Sequence, residues 1–304
     1  MTTDVLTIDH LTKRFGHTQA LSDVTLTVHQ GEVFGFIGPN GAGKSTTIRI
    51  LLGILKKTSG SVSLLGLDPF TDNVAIHQRL AYVPGDVALW PNLSGGEIID
   101  FLLHLNGHAH TARTDALIET FQLDPTKKAR TYSKGNRQKV ALIAAFSQEA
   151  DFYIFDEPTS GLDPLNEQRF QELVLELKQA GKSVLLSSHI LSEVEKMCDR
   201  IGIIRQGKLI ETGTLAEMRH LTRTQMVVKT LHPLDILEER DGLYDLQLDA
   251  PKTTASFSVD SDQIPVLMDR LAAADIVSIQ SNPPTLEDLF LRYYGDDDAA
   301  PEKG

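Results

Sequence analysis

At 304 residues, with 41% hydrophobic and 23% charged side chains, the chain can build one large core or two smaller ones, and its composition excludes a disordered protein. The net charge of −12 is uneven: residues 221–304 hold 7 Lys+Arg against 16 Asp+Glu, a balance of −9, which leaves −3 for residues 1–220, so neither part offers the basic surface of a nucleic-acid binder and no nucleic-acid partner is expected. No run approaches the roughly 20 apolar residues of a membrane span, the start MTTDVLTIDH lacks a signal-peptide pattern, and the single Cys198 permits no internal disulfide; together these predict a chain kept in the cytoplasm, with Cys198 a small buried thiol.

Residues 1–28 alternate apolar and polar positions, VLTID and then LSDVTLTV, about a turn at Gly16, which predicts antiparallel strands. GEVFGFIG (31–38) is a continuous apolar run entering a glycine-rich loop, the pattern of a buried parallel strand, and TTIRILLGIL (46–55) follows with helical character. From Glu97 to about Leu123 the chain reads as helical, EIIDFLLHL and ALIETFQL, interrupted by NGHAHT. The apolar strands FYIF (152–155) and SVLLSS (183–188) flank an amphipathic helix, NEQRFQELVLELKQA, and IGIIRQGKLIETG (201–213) predicts a hairpin turning at Gln206 and Gly207. Strands alternating with helices make residues 1–220 an α/β domain. Beyond Leu221, MVVKT, LYDLQL and ASFSV read as strands and IPVLMDRLAAA and TLEDLFLRYY as helices, a small α+β accessory domain over 221–295, with an acidic tail at 296–304 expected to be disordered.

GPNGAGKST (38–46) satisfies the phosphate-loop pattern G-x-x-x-x-G-K-[ST] between a strand and a helix. Gly38, Gly41 and Gly43 let the backbone bend so that successive N–H groups and the helix N-terminus face phosphate oxygens, and the whole stretch, with Pro39, Asn40, Ala42 and Thr46, is expected to cradle the nucleotide. Lys44 is placed to reach the β- and γ-phosphates, and the Ser45 hydroxyl to bind Mg2+. FYIFDEP (152–158) ends an apolar strand on two carboxylates: Asp156 suits the Mg2+ shell, and Glu157 suits orienting and deprotonating the attacking water.

With these motifs in this order, residues 4 to about 220 resemble the nucleotide-binding subunit of ATP-binding cassette (ABC) transporters. The resemblance implies a cassette of parallel-sheet core, N-terminal antiparallel β subdomain and inserted helical subdomain at about 86–145. It identifies SGLD (160–163) with the D-loop, whose Asp163 joins the nucleotide contacts, and SSHILSEVE (187–195) with the switch region, whose His189 contacts the γ-phosphate as a catalytic residue beside Lys44 and Glu157. Phe15, in KRFGHTQAL, takes the family's adenine-stacking position.

Two stretches compete for the family's signature motif, which binds the γ-phosphate held by the opposite subunit. NLSGGE (92–97) carries the letters; YSKGNRQK (132–139) carries the position, since the motif opens a helix shortly before the carboxylate strand. The position favours Ser133 and Gly135, with Lys134 in place of the first glycine, and makes Ser94 a helix N-cap with Glu97 as its capping-box partner. One departure stands out: where the family carries a glutamine after the strand LAYVP, this chain has Gly85 and Asp86, and Asp86 is expected to take over part of that role as a metal contact. In the same segment Leu89 and Trp90 offer apolar anchors for a short helix of a membrane partner.

The resemblance implies an ATP- and Mg2+-dependent ATPase on the cytoplasmic face of the membrane. It implies a homodimer or heterodimer with related subunits closing over two ATP molecules to drive a separately encoded integral membrane permease. The second domain is similar to the extension of ATPases serving ABC-2-type exporters of drugs or antibiotics. The alternatives are a soluble ABC ATPase acting on ribosomes or DNA, against which stand the single cassette and the lack of a long insertion, and an importer ATPase with a regulatory C-terminal domain.

Overall fold

In chain order the first unit contains β1 (Asp4–Phe15), β2 (Thr18–His29), β3 (Val33–Ile37), α1 (Lys44–Leu51), β4 (Ser59–Leu64), α2 (Asn73–His77), β5 (Leu80–Val83), α3 (Gly95–Leu105), α4 (Ala112–Thr120), α5 (Lys134–Phe146), β6 (Phe152–Asp156), α6 (Pro164–Gln179), β7 (Ser183–Ser188), α7 (Leu191–Met197), β8 (Arg200–Arg205) and β9 (Lys208–Thr214). This computed structural model describes residues 3–220, 223–234, 237, 242–260, 263–272 and 274–282. By internal contacts the chain divides into two units, Met1–Gly213 and Thr214–Gly304.

The first unit is built on a six-stranded sheet in the order β5-β6-β7-β3-β8-β9, with the pairs from β5 to β8 parallel, and a separate antiparallel sheet in the order β2-β1-β4. Every residue of β3, β6 and β7 is buried, as a central parallel sheet covered on both faces requires. Strand alternation divides β6 between two cores. Phe152 and Ile154 join Phe34, Phe36, Ile48, Leu6, Ile8 and Leu26 in a core between the sheets and α1. Phe155 packs against Phe146 of α5 and Phe170 of α6, ring centroids 5.3 and 5.2 Å away. On β3, Gly35 is required by close approach: a Cβ there would lie 2.7 Å from Val194 and 3.0 Å from the Cys198 sulfur. Burial pushes the Cys198 thiol above its ordinary pKa, as befits an inert core thiol.

The N-terminal hairpin turns at Gly16, and β8–β9 turns at Gln206 and Gly207, both at positive φ, as the sequence predicts. The helix read over 46–55 is shorter at its end: α1 stops at Leu51, and Gly53, at φ 69°, turns the chain beneath Pro69. The strand β4, with glycine and three serines, is absent from the sequence reading because only Val62 and Leu64 face the core.

The second unit holds α8 (Leu215–His220), β10 (Thr224–Thr230), β11 (Leu243–Leu248), β12 (Thr254–Val259), α9 (Ile264–Ala272) and β13 (Ile276–Asn282). Its four strands form an antiparallel sheet in the order β11-β12-β10-β13, with Met226, Val228, Phe257, Val259, Leu267 and Leu271 in one core. The edge strand β13, with no fully buried residue, goes beyond the sequence expectation. The expected helix TLEDLFLRYY and the 296–304 tail lie outside the described residues.

Candidate active site

The glycine-rich loop leaves the buried end of β3 and returns as α1, and its glycines are steric necessities. A Cβ on Gly38 would sit 2.3 Å from the Ile204 carbonyl oxygen, and one on Gly43, at φ 119°, would sit 2.7 Å from Leu21. Gly41 holds φ 81° with open space around it, so there backbone freedom is the requirement. Helix α1 begins without a side-chain cap and with no acidic residue in its first turn, which leaves its amino end bare and its dipole uncompensated, the condition for anion binding.

Lys44 is only 5% exposed, and its ammonium donates to the Gly38 carbonyl and, at 3.3 Å, to that of Pro39. It lies 3.1 Å from Glu157 Oε1. That oxygen is buried and in no aligned hydrogen bond, so the contact is one of charge. The other oxygen, Oε2, meets His189 Nδ1 at 2.5 Å. Lys44 at the start of α1, Glu157 just past β6 and His189 just past β7 thus form one contiguous chain. Asp156, at the end of β6, is buried and accepts from the Ser187 hydroxyl. Glu157 adopts φ 49°, a left-handed conformation that costs a non-glycine residue on the order of 1–3 kcal/mol. Its amide donates to the Ser187 carbonyl at 3.0 Å, which helps hold the strained turn. Ser45 is exposed and Thr46 half-buried at the open side of the loop.

The sequence reading missed Glu193. It is buried on α7, and its carboxylate accepts from Thr159 Oγ1 at 3.0 Å, tying α7 to the turn after Glu157. Burial raises its pKa above the usual carboxylate range, with Glu167 and Glu157 adding in the same direction. Nothing in the local sequence marks this contact, which spans 34 residues.

The two signature candidates are both helix N-caps. Ser94 closes a full capping box: its Oγ accepts from the Glu97 amide at 3.3 Å and its own amide donates to the Glu97 carboxylate at 2.6 Å. Gly95 there makes room for Tyr132, whose hydroxyl oxygen would be 2.2 Å from a Cβ. Ser133 caps α5 through the Asn136 amide, with no acid in the first turn. Gly135 packs on the loop 160–163: a Cβ on it would lie 2.3 Å from the Gly161 carbonyl oxygen. The structure therefore brings Gly135, two residues past Ser133, against the turn that follows Glu157, and leaves Ser94 capping α3.

Asp163 caps α6, accepting from the Asn166 amide at 3.0 Å and its side-chain amide at 2.6 Å, and these bonds hold its pKa below the usual range. Phe15 is half-exposed at the tip of the first hairpin with the Lys13 ammonium 4.7 Å from its ring centre. Gly85 lies against the carboxylate strand: a Cβ there would be 3.0 Å from the Asp156 carbonyl oxygen and 3.4 Å from Glu157 Cβ. Asp86 beside it is exposed. Trp90 is 48% exposed and packs edge-to-face on Phe101, 5.0 Å between centroids, at the rim of a groove of about 310 Å³. Among the described residues no helix is long and apolar enough to cross a membrane.

A family model for the ABC transporter matches residues 21–160. Over 90% of its length the chain is 36% identical to an ABC transporter ATP-binding protein of Nostoc sp., all4389, and covers 82% of that protein. It is 31% identical to the daunorubicin resistance ATP-binding protein DrrA3 of Streptomyces coeruleorubidus, with 98% of each chain covered. A solved structure of an ATP-binding subunit of an ABC transporter superposes with a TM-score of 0.68 at 33% identity, over 71% of this chain and 92% of that one. The phosphate loop, the carboxylate strand and these likenesses agree: the chain belongs to the ATP-binding subunits of ABC transporters and is an ATPase cassette of that family.

Proposed function

We propose that this subunit powers a separately encoded membrane permease, an ABC-2-type exporter of a drug, an antibiotic or a similar compound, by binding and hydrolysing ATP in a dimer. The observation that carries the reading is the contiguous Lys44–Glu157–His189 chain at the mouth of the glycine loop. Likeness over nearly the full length to a drug-resistance ATP-binding protein supports the exporter assignment.

The loop N–H groups of residues 40–46 and the bare end of α1 receive phosphate oxygens, and Lys44 supplies a buried positive charge. Phe15 presents a ring face for adenine. The pairing of an exposed hydroxyl on Ser45 with a buried carboxylate on Asp156 is the oxygen donor set that Mg2+ takes, and Asp86, next to the Gly85 backbone that lies against the Asp156 carbonyl, adds to it. Mg2+ bound there neutralises charge on the phosphates. Glu157 holds and deprotonates water, and His189, bonded to Glu157, orients its carboxylate. Ser133 and Gly135 face the nucleotide of the opposite subunit, at a helix end with no competing acid.

The groove beside Trp90, lined by Leu52, Ile54, Tyr82, Val87 and Leu89, receives a short helix of the permease. Its exposed aromatic pair is the kind of anchor that dominates such contacts.

Glu157→Gln tests the core of the reading. It removes the base and keeps the shape, so ATP binding persists while turnover falls by roughly 10²–10⁴ and a closed dimer accumulates. Turnover and sedimentation with and without ATP measure both; wild-type turnover in the variant rejects the assignment.

A further inference from the structure

Lys134 stands where the family has the first glycine of its signature motif, and the structure gives this lysine a partner. Its ammonium donates to Ser160 Oγ at 2.6 Å, and its Cγ and Cδ lie 3.2 and 3.3 Å from where a Cβ on Gly161 would be. The lysine stem thus lies along the loop 160–163, and Gly161, at φ 85°, has the bare backbone that lets it do so. The same loop is bound to the catalytic turn: the Ser160 amide donates to the Glu157 carbonyl at 3.2 Å, and Thr159 is held by Glu193. From Lys134 to the strained backbone of Glu157 there are only two hydrogen bonds.

We propose that Lys134 is a positioning residue that lets one ATP site of the dimer report to the other. The proposal rests on the dimer reading above, in which the amino end of α5 faces the nucleotide of the opposite subunit while Glu157 serves the chain's own. Ser160 is a neutral, half-buried acceptor. A phosphate arriving at the amino end of α5 is a far stronger acceptor for an ammonium. Lys134 then exchanges Ser160 for the phosphate, and the 160–163 loop, released from the lysine, lets Glu157 settle against its own water. A glycine at this position has no side chain to exchange, so the device belongs to the cassettes that carry a lysine here. Coupling of this kind is a two-state contact biased by a ligand at one site and read at the other.

The experiment uses the full-length chain. Lys134→Met keeps the stem and removes the charge; Lys134→Arg keeps a charge; Ser160→Ala removes the acceptor. Steady-state turnover is measured against ATP concentration, and nucleotide affinity is measured separately on a dilute, monomeric sample. The expected result is sigmoidal turnover for the wild type, with a Hill coefficient approaching about 2 for two sites, falling to about 1 in Lys134→Met and in Ser160→Ala and restored in Lys134→Arg. Affinity of the monomer stays at the wild-type value in all of them, because Lys134 does not serve its own chain's nucleotide. A sigmoidal wild type matched by Lys134→Met overturns the inference and leaves the dimer reading standing. A wild type that neither dimerises on ATP nor shows sigmoidal turnover overturns both. Loss of monomer affinity in Lys134→Met shows the lysine to be part of the fold of its own site, and also overturns the inference.

Discussion

The amino ends of α3 and α5 start from nearly the same letters, S-G-G-E and S-K-G-N, and are put to different uses. At α3 the N–H groups of the cap all have partners: Ser94 and Glu97 satisfy one another, the Gly95 and Gly96 amides donate to the Lys127 and Pro125 carbonyls at 3.1 and 2.8 Å, Lys128 pairs with Glu97 at 3.2 Å, and Tyr132 covers Gly95. A helix end closed in this way is a folding device, and its acid cancels the positive end of the dipole. At α5 the serine makes one 3.3 Å bond, no acid stands in the first turn, and the glycine serves to admit the backbone of the loop after Asp156 and Glu157. Helix α1, which follows the phosphate loop, shares that lack of an acid. What marks a helix end for an anion is therefore less the presence of serine and glycine than the absence of an internal partner for them.

The largest effects that can break this comparison fall on α5. In the proposed dimer Ser133→Ala removes a hydroxyl donor to the nucleotide of the opposite subunit, and it is expected to lower turnover by about 10² while leaving the protein folded. Gly135→Val drives a side chain into the Gly161 carbonyl, and the displaced loop carries Glu157 with it; displacements of about 1 Å at a catalytic group cost around 10². Turnover in both, with circular dichroism as a check on folding, measures this. If Ser133→Ala retains wild-type turnover, the amino end of α5 is only a cap.

Smaller and of another kind are the effects expected at α3. In Gly95→Ala the new methyl group displaces the Tyr132 hydroxyl from the Asp124 carbonyl, to which it donates at 2.6 Å, and stability falls by about 1–3 kcal/mol. Ser94→Ala loses the cap and about 0.5–2 kcal/mol. Urea denaturation measures both, and turnover per folded molecule stays at the wild-type value. A loss of turnover in folded Ser94→Ala makes α3 the nucleotide-facing end and reverses the comparison.

How much of this was legible in the sequence depended on the range of the interaction. The phosphate loop is nine consecutive residues whose spacing carries its own chemistry, and the pair Asp156-Glu157 ends an apolar run; both could be read locally. The capping box spans four residues, and it too is visible. Lys134–Ser160 and Thr159–Glu193 join positions 26 and 34 residues apart, and no periodicity or motif reports which side chains a sheet will bring together. Gly85 shows the intermediate case. The missing glutamine was evident by comparison with the family pattern, but only the fold shows how close the Asp156 carbonyl oxygen stands to this backbone. The strands β4 and β13 escaped for a related reason: each is a sheet edge with few buried residues, so its identity lies in its pairing partner rather than in its own composition.

The smallest effect is a pH dependence that only α3 can show. The backbone N–H of Ser94 and its hydroxyl, with Lys128 adding to them, push the Glu97 carboxyl down to about 2 from its ordinary 4.5. A carboxyl depressed by folding contributes stability that is fully present above its unfolded pKa and is lost as pH falls through its folded one. The contribution from this cap is therefore intact above about pH 4.5 and disappears progressively between there and about pH 2. Because Glu97 is fully open to solvent, salt screens much of the effect, and it is expected to shrink further as ionic strength rises. Other carboxylates of the cassette are depressed as well, Asp151 and Asp163 among them, so total stability against pH does not isolate Glu97. The difference between wild type and Glu97→Gln does. Urea midpoints at several pH values from 6 down to 3 are expected to give a gap that is constant at the upper end and narrows below about pH 4.5. No pH-dependent gap is expected between wild type and Asn136→Gln over this range, since the first turn of α5 holds no carboxyl. A gap for Glu97→Gln that is flat across the whole range means the carboxylate does not feel its cap, and the reciprocal bonding that sets α3 apart from α5 loses its energetic content.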